Sequence, residues 1–202
     1  MKRTKEEAEQ TKKKLIDIAL DTLIKEGFEN VTLENVAAKA GVTRGAIYWH
    51  FNNKEDLLDY LIKSKDVESI EIMDSISKAD VSPMEKIDML ISGNFPKLKT
   101  QTQMKNYARL KMDLYNYYQK YGDNRNIGKI FTKHLASFIK QAQSEGKIKS
   151  EVNVNESAYT IFCLIGGLYL RFNQQSSAYK SLQSIHGVVK NYIKQLEPGK
   201  VK

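Results

Sequence analysis

One cysteine, three prolines and three histidines are all that these 202 residues hold of those types, and each shortage excludes something. A lone thiol, Cys163, forms no intramolecular disulfide, so stability must come from an apolar core, which a chain of this length can build. Flanked by Phe162 and Leu164, Cys163 is expected to be a small buried hydrophobe rather than a redox sensor. No paired His or Cys spacing suggests a metal site, and neither a G-x-S-x-G elbow nor a phosphate-binding glycine loop occurs, so neither a cofactor nor an enzyme is expected. The longest apolar run, 158–170, has 13 residues and includes Thr160, Gly166 and Gly167. Spanning a bilayer takes about 20, so this run reads as a buried helix. The N-terminus lacks the apolar stretch of a secretory signal, and a cytoplasmic protein without a membrane partner is expected.

Formal charge is +8, which suits a polyanionic partner, but its placement weakens that argument. Residues 1–62 hold 10 Lys and Arg against 11 Asp and Glu, whereas residues 63–202 hold 22 against 13. Within the second part, residues 97–149 carry 12 basic side chains against 3 acidic ones. A solvated face accounts for that segment, with an anionic effector or acidic partner as the alternative.

Apolar residues recur at three-and-four spacing almost throughout, and no strand alternation appears, so the chain is expected to be all-α. Ile16, Ala19, Leu20, Leu23 and Ile24 share one face of an opening helix that stops before Gly27. Thr32 is placed to cap a short helix with Leu33, Val36, Ala37 and Ala40 inward and Gly41 at its end. Thr43 caps another of about two turns, and Asn53, with Glu55 and Asp56 behind it, opens a long helix through Leu57, Leu58, Leu61 and Ile62. Further helices are expected over 83–100, 103–118, 126–145, 155–173 and 178–196, with breaks at 80–82, 121–123, 146–153 and 174–177. Without a low-complexity linker, a continuous helix should join the two parts.

The stretch from Val36 to Val42 supplies the small residues needed where two helices cross steeply around a short turn. At about 100° per residue, Ile47 and Phe51 of the next helix point inward while Gly45, Tyr48 and Trp49 point out. An outward Tyr-Trp pair beside Arg44 suits a recognition helix in a major groove. Arg44 can reach a guanine edge or a phosphate, Tyr48 a phosphate oxygen or a thymine methyl, and Gly45 permits close approach. Thr32 and Lys54 stand at the starts of flanking helices, where free N–H groups favour phosphate, and Thr43, the cap of the recognition helix, is a further candidate DNA contact. Trp49 and His50 join this set, with packing against the protein as their equal alternative. For Lys2, Arg3, Lys5 and Lys12-Lys13-Lys14 a solvated face is the reading, with a minor-groove arm as the alternative.

Val31-Thr32, then Gly41-Val42-Thr43-Arg44-Gly45-Ala46-Ile47-Tyr48-Trp49-His50-Phe51, then Asn53-Lys54-Glu55-Asp56-Leu57-Leu58 together resemble the DNA-binding domain of the TetR family. Within it, the wording from Gly41 to Phe51 is closest to the AcrR and TtgR type, the multidrug-efflux repressors. The match covers about residues 12–62, and beyond it only the helical plan is similar. The resemblance implies about nine helices, with a three-helix helix-turn-helix DNA-binding domain at 1–55 and a helical effector-binding and dimerisation domain at 56–202. It implies a homodimeric transcriptional repressor on a palindromic double-stranded operator, released by a small hydrophobic or amphipathic effector and controlling an efflux or transport gene.

By position in that fold, Tyr107, Leu110, Tyr118, Phe131, His134, Phe138, Phe162 and Cys163 are the candidate effector contacts, although most aromatics of the body, Phe95 and Phe172 among them, should be plain core. Gly166, Gly167, Leu170, Val189 and Tyr192 are the candidate dimer contacts. Two glycines inside an apolar helix cost about 1 kcal/mol each relative to alanine, which a close helix crossing offsets, within the subunit or across a dimer. The rival reading is an architectural DNA-binding protein with a steep salt dependence, weak sequence discrimination and no effector.

Overall fold

The structure is a computed structural model, and it describes residues 5–93, 100–122, 126–174 and 182–199. Among the described residues there are nine α-helices, one short 3₁₀ turn and no strand. They are α1 (Lys5–Glu26), the 3₁₀ turn Phe28–Asn30, α2 (Leu33–Ala40), α3 (Arg44–Tyr48), α4 (Lys54–Lys78), α5 (Pro83–Ser92), α6 (Gln101–Tyr121), α7 (Ile127–Ser144), α8 (Val154–Gln174) and α9 (Leu182–Leu196). Lys2, Arg3, the segment 94–99 with Phe95, and the expected break at 175–177 lie outside the described residues, as does the side chain of Phe172.

Local chemistry sets the boundaries. Thr32, Thr43 and Asn53 each accept a hydrogen bond from the backbone N–H three residues on, as N-caps do. Gly41 closes α2 in the left-handed region at φ 65°. The helix expected to reach residue 100 is corrected: α5 stops at Ser92, and Thr100 is instead the N-cap of α6. Its side chain accepts from Gln103 N–H while Gln103 accepts from Thr100 N–H, a reciprocal pair that starts a helix rather than continuing one. Ser82 and Glu85 start α5 in the same way.

Two apolar clusters organise the chain. The first gathers Leu15, Ala19, Leu23, Val31, Leu33, Val36, Ala37, Ala40, Ile47 and Phe51 with Leu57, Leu58 and Leu61 of α4 and Leu110 of α6. Packing therefore does not break at residue 55. The second joins Met73 and Ile76 of α4 to Ile87, Leu90 and Ile91 of α5, Phe131, Leu135, Phe138 and Ile139 of α7, Ile161 and Ile165 of α8, and Val189 and Ile193 of α9. Helix α4 belongs to both clusters, and its 25 residues run about 37 Å without interruption.

A second connection runs through α6. The Arg109 guanidinium Nη2 donates to the carbonyl of Ile24 at 3.2 Å, in the last turn of α1, where a cation suits the negative end of the helix dipole. Gly27 follows with φ 88° and ψ 173°, a conformation open almost only to glycine, and a Cβ there would lie 3.3 Å from Arg109 Nε. Adjacent tyrosines of α6 grip α4: Tyr118 donates to Asp66 Oδ1 at 2.5 Å and Tyr117 to Asp59 Oδ1 at 3.2 Å. Burial, with the Asp59 carboxylate beside it, pushes the Tyr117 phenol up to about 12.

Candidate nucleic-acid interface

Helix α3 is only five residues long, too short to persist alone, so its packing decides its orientation. Ile47 anchors it with no exposed surface, and Phe51 just beyond is 2% exposed. Val42 N–H donates to Ala37 O and Gly41 N–H to Ala38 O, closing the turn between α2 and α3. Lys39 of α2 pairs with Glu26 and donates to Thr22 Oγ1, locking the pair of helices onto α1. With one face committed inward, the other must look out.

On that outer face stand Arg44, Gly45, Tyr48 and Trp49. Trp49 is 72% exposed, so the alternative that it packs half-buried against the first helix is overturned. Its ring meets His50 edge-on at 4.6 Å, and His50 sits half-buried behind it, its ring also near Phe51. Gly45 is not imposed by the fold: a Cβ there would meet nothing within 4 Å. Glycine in a helix costs about 1 kcal/mol relative to alanine, so this outward position gives up stability with no internal reason.

Thr32 and Thr43 use oxygen lone pairs as cap acceptors, from Asn35 N–H at 3.1 Å and Ala46 N–H at 3.2 Å, which leaves each O–H able to donate outward. Lys54 opens α4, and its Nζ lies 3.4 Å from the Glu29 carbonyl. A residue that sequence reasoning missed completes this surface. Glu34 of α2 accepts from the Tyr48 hydroxyl at 2.9 Å and pairs with Arg44 Nη2 at 3.2 Å. Its own backbone N–H and Tyr48 hold its carboxyl below the usual range, while Tyr48 pushes the Arg44 guanidinium up.

The candidate effector residues are not brought together as one set. Leu110 belongs to the N-terminal cluster, Tyr107 touches both clusters and meets the Tyr169 ring at 5.7 Å, and Tyr118 holds α4. Phe131 and Phe138 are buried in the body core. His134 is half-buried, its Nδ1 2.8 Å from Ser77 Oγ and its Nε2 3.4 Å from Asp74. One expectation needs correction: Cys163 is exposed rather than buried. Phe162 is 39% exposed, with its ring packed at 6.1 Å on Phe131. Helix α8 is apolar on most sides, so its residue pattern carries no cue to which side meets its own body.

That outer side of α8 is continuous. Tyr159, Phe162, Cys163, Gly166, Gly167 and Leu170 recur at helical spacing, all exposed. A Cβ on Gly166 or Gly167 would meet nothing within 4 Å, so no crossing among the described residues explains these glycines. Val189, by contrast, has no exposed surface, and Tyr192 packs half-buried on the body core. Val189 faces its own subunit and is not available to a partner. Among the described residues of 97–149, most lysines are exposed, as a solvated face requires.

Among the described residues no helix is long and apolar enough to cross a membrane, and no group of His, Cys, Asp or Glu could hold a metal ion. Comparison with known proteins extends this geometry. Residues 15–61 match the family model described as bacterial regulatory proteins, tetR family. The chain is 45% identical over 64 residues to the HTH-type transcriptional regulator SrpR of Pseudomonas putida, covering 32% of this chain and 30% of that one. It is 30% identical over 196 residues to the HTH-type transcriptional regulator TtgR, also of Pseudomonas putida, covering 85% and 84%. Among solved structures, the SmeT–triclosan complex superposes with a TM-score of 0.71 at 16% identity, over 96% of this chain and 94% of that one.

Proposed function

This chain belongs to the TetR family of bacterial transcriptional regulators, close to its AcrR and TtgR type, and on that premise we propose that it is a homodimeric repressor released from a palindromic operator by a small apolar or amphipathic effector. It is a regulator and not an enzyme. The observation that carries the proposal is the outward face of α3: Arg44, Gly45, Tyr48 and Trp49 stand exposed around an anchor, Ile47, that is wholly buried. Such a face fits a major groove, with Arg44 on a guanine edge and Tyr48 on a phosphate or thymine methyl. Trp49, His50, Thr32, Thr43 and Lys54 supply positioning contacts around them.

In this reading the division of labour is a DNA-binding part near the N-terminus and an effector-binding and dimerising part behind it. The exposed stripe of α8 forms the two-fold interface, with Gly166 and Gly167 letting two helices approach closely, and places two α3 helices about one DNA turn apart, ~34 Å. An apolar or amphipathic effector agrees with the aromatic body and with the triclosan bound by SmeT. Entry of effector between α4, α6 and α7 changes the tilt of α4, and α4 carries that tilt to the first cluster. Control of an efflux or transport gene follows the AcrR and TtgR likeness.

Selection of bound sequences from random duplexes tests the proposal directly. An inverted-repeat site bound ~10³-fold or more above scrambled duplex is expected, and loss of that site on adding an apolar compound identifies the effector class. A ratio below ~10 at moderate ionic strength refutes operator recognition and favours the architectural reading.

A further inference from the structure

The acidic side chain on the DNA-facing surface has no role in the contacts assigned so far, and it occupies the two groups that matter most there. Glu34 Oε1 lies 2.9 Å from the Tyr48 hydroxyl and 3.2 Å from Arg44 Nη2, and Arg44 Nη2 lies 3.4 Å from that same hydroxyl. The guanidinium also rests 5.3 Å from the Tyr48 ring centre. One carboxylate thus gathers both α3 side chains from a residue 10 positions before Arg44, across the turn between the two helices. Glu34 stands in the first turn of α2, where the helix dipole favours a negative charge.

We propose that Glu34 is a specificity-determining residue: it orients Arg44 toward a guanine edge and penalises any DNA that offers only phosphates. This rests on the DNA-binding reading above. The physical case has two parts. Nη2 of the guanidinium makes both contacts, to Glu34 and to the Tyr48 hydroxyl, which leaves the Nη1 and Nε hydrogens to reach guanine O6 or N7. Holding the guanidinium in place lowers the ordering cost of that contact, so the operator gains. Nonspecific DNA gains nothing from the orientation. Its attraction depends on how many phosphates are neutralised, and Glu34 both cancels the charge of Arg44 and occupies the hydroxyl hydrogen of Tyr48. The effect is large here because residues 1–62 carry 11 acids against 10 bases, so one charge is a sizeable part of what this surface offers.

Glu34→Gln keeps the size and removes the charge, and the side chain is 53% exposed, so folding should be unchanged. Affinities for the selected operator and for a scrambled duplex are measured from about 50 to 300 mM KCl, alongside a thermal melt. The expected result is that the scrambled duplex binds about 5-fold or more tighter at low salt, with a log–log salt slope steeper by ~0.9. The operator-to-scrambled ratio falls about tenfold, and a repeated selection loses preference at one base pair of each half-site. Arg44→Ala loses preference at that same base pair. A ratio within twofold of the parent, or relaxation at a position different from that of Arg44→Ala, overturns the proposal while leaving operator recognition standing. If the parent itself shows no operator preference, both readings fall. Glu34→Ala gives the same comparison should Glu34→Gln melt early.

Discussion

Ile47 and Tyr48 are neighbours in sequence and opposites in exposure, and truncating each to alanine separates folding from DNA binding. Ile47 has no exposed surface and sits in the first cluster between α1, α2 and α4. Removing its buried methylenes costs about 2–5 kcal/mol, including the cavity left behind. For a chain of this size each kcal/mol lowers the melting temperature by about 2–4 °C, so Ile47→Ala should melt roughly 4–20 °C early. Tyr48 is 41% exposed and its hydroxyl bonds only exposed partners, Glu34 and Arg44. Its loss should change stability by less than about 1 kcal/mol. Operator affinity should nonetheless fall by about 1–3 kcal/mol, a factor of roughly 5–150, because a groove contact disappears. Thermal melts and operator titrations at one salt concentration read both numbers. If Tyr48→Ala melts as early as Ile47→Ala, Tyr48 is core and the interface is misassigned; if it melts normally and binds the operator at parental affinity, the outward face is not the recognition surface.

Other expectations follow from neighbouring features. Gly45→Ala should raise the melting temperature by a few degrees, since alanine gains about 0.5–1 kcal/mol in a helix with room for a Cβ, yet weaken operator binding; unchanged binding removes close approach as the reason for glycine. Gly167→Arg should leave a folded monomer by sedimentation and raise the reactivity of exposed Cys163 toward a thiol reagent, whereas a dimer with parental reactivity excludes the α8 stripe as the interface. Gly27→Ala should destabilise by about 1–3 kcal/mol for its glycine-only backbone alone, seen in urea denaturation, and Arg109→Ala in the same chain should not restore that part. The Tyr117 phenol titrates higher in the folded chain than unfolded, so its contribution to stability is whole below about pH 10 and is lost as pH rises through about 12. Tyr117→Phe should flatten that decline in denaturation midpoint, and an identical decline would reassign it to other tyrosines.

The start of the chain is legible because its punctuation is local. Thr32, Thr43 and Asn53 each cap within three residues, Gly41 needs a left-handed turn, and helical spacing alone turns Ile47 in and Tyr48 out. The Thr100–Gln103 pair is equally local and marks a start that periodicity alone runs across. Glu34 is not legible, because an acid in a first turn reads as a dipole-favoured solvent residue until the fold sets it opposite Tyr48, 14 positions later. Arg109 is hidden for the same reason, since its partner Ile24 lies 85 positions away. Cys163 and Phe162 defeat a reading from composition: a run apolar all round carries no phase, and only packing reveals its free side.

Helix α4 holds Leu57, Leu58 and Leu61 in one cluster and Met73 and Ile76 in the other, with no joint between. The two ends are therefore geared together like teeth on one shaft. Inserting a single residue between Ile62 and Met73 would swing α3 by about 100° relative to the second cluster and advance it about 1.5 Å, whereas seven inserted residues nearly restore the phase at a greater reach. Anyone joining this C-terminal body to another helix-turn-helix must count residues along that shaft and keep the two in register.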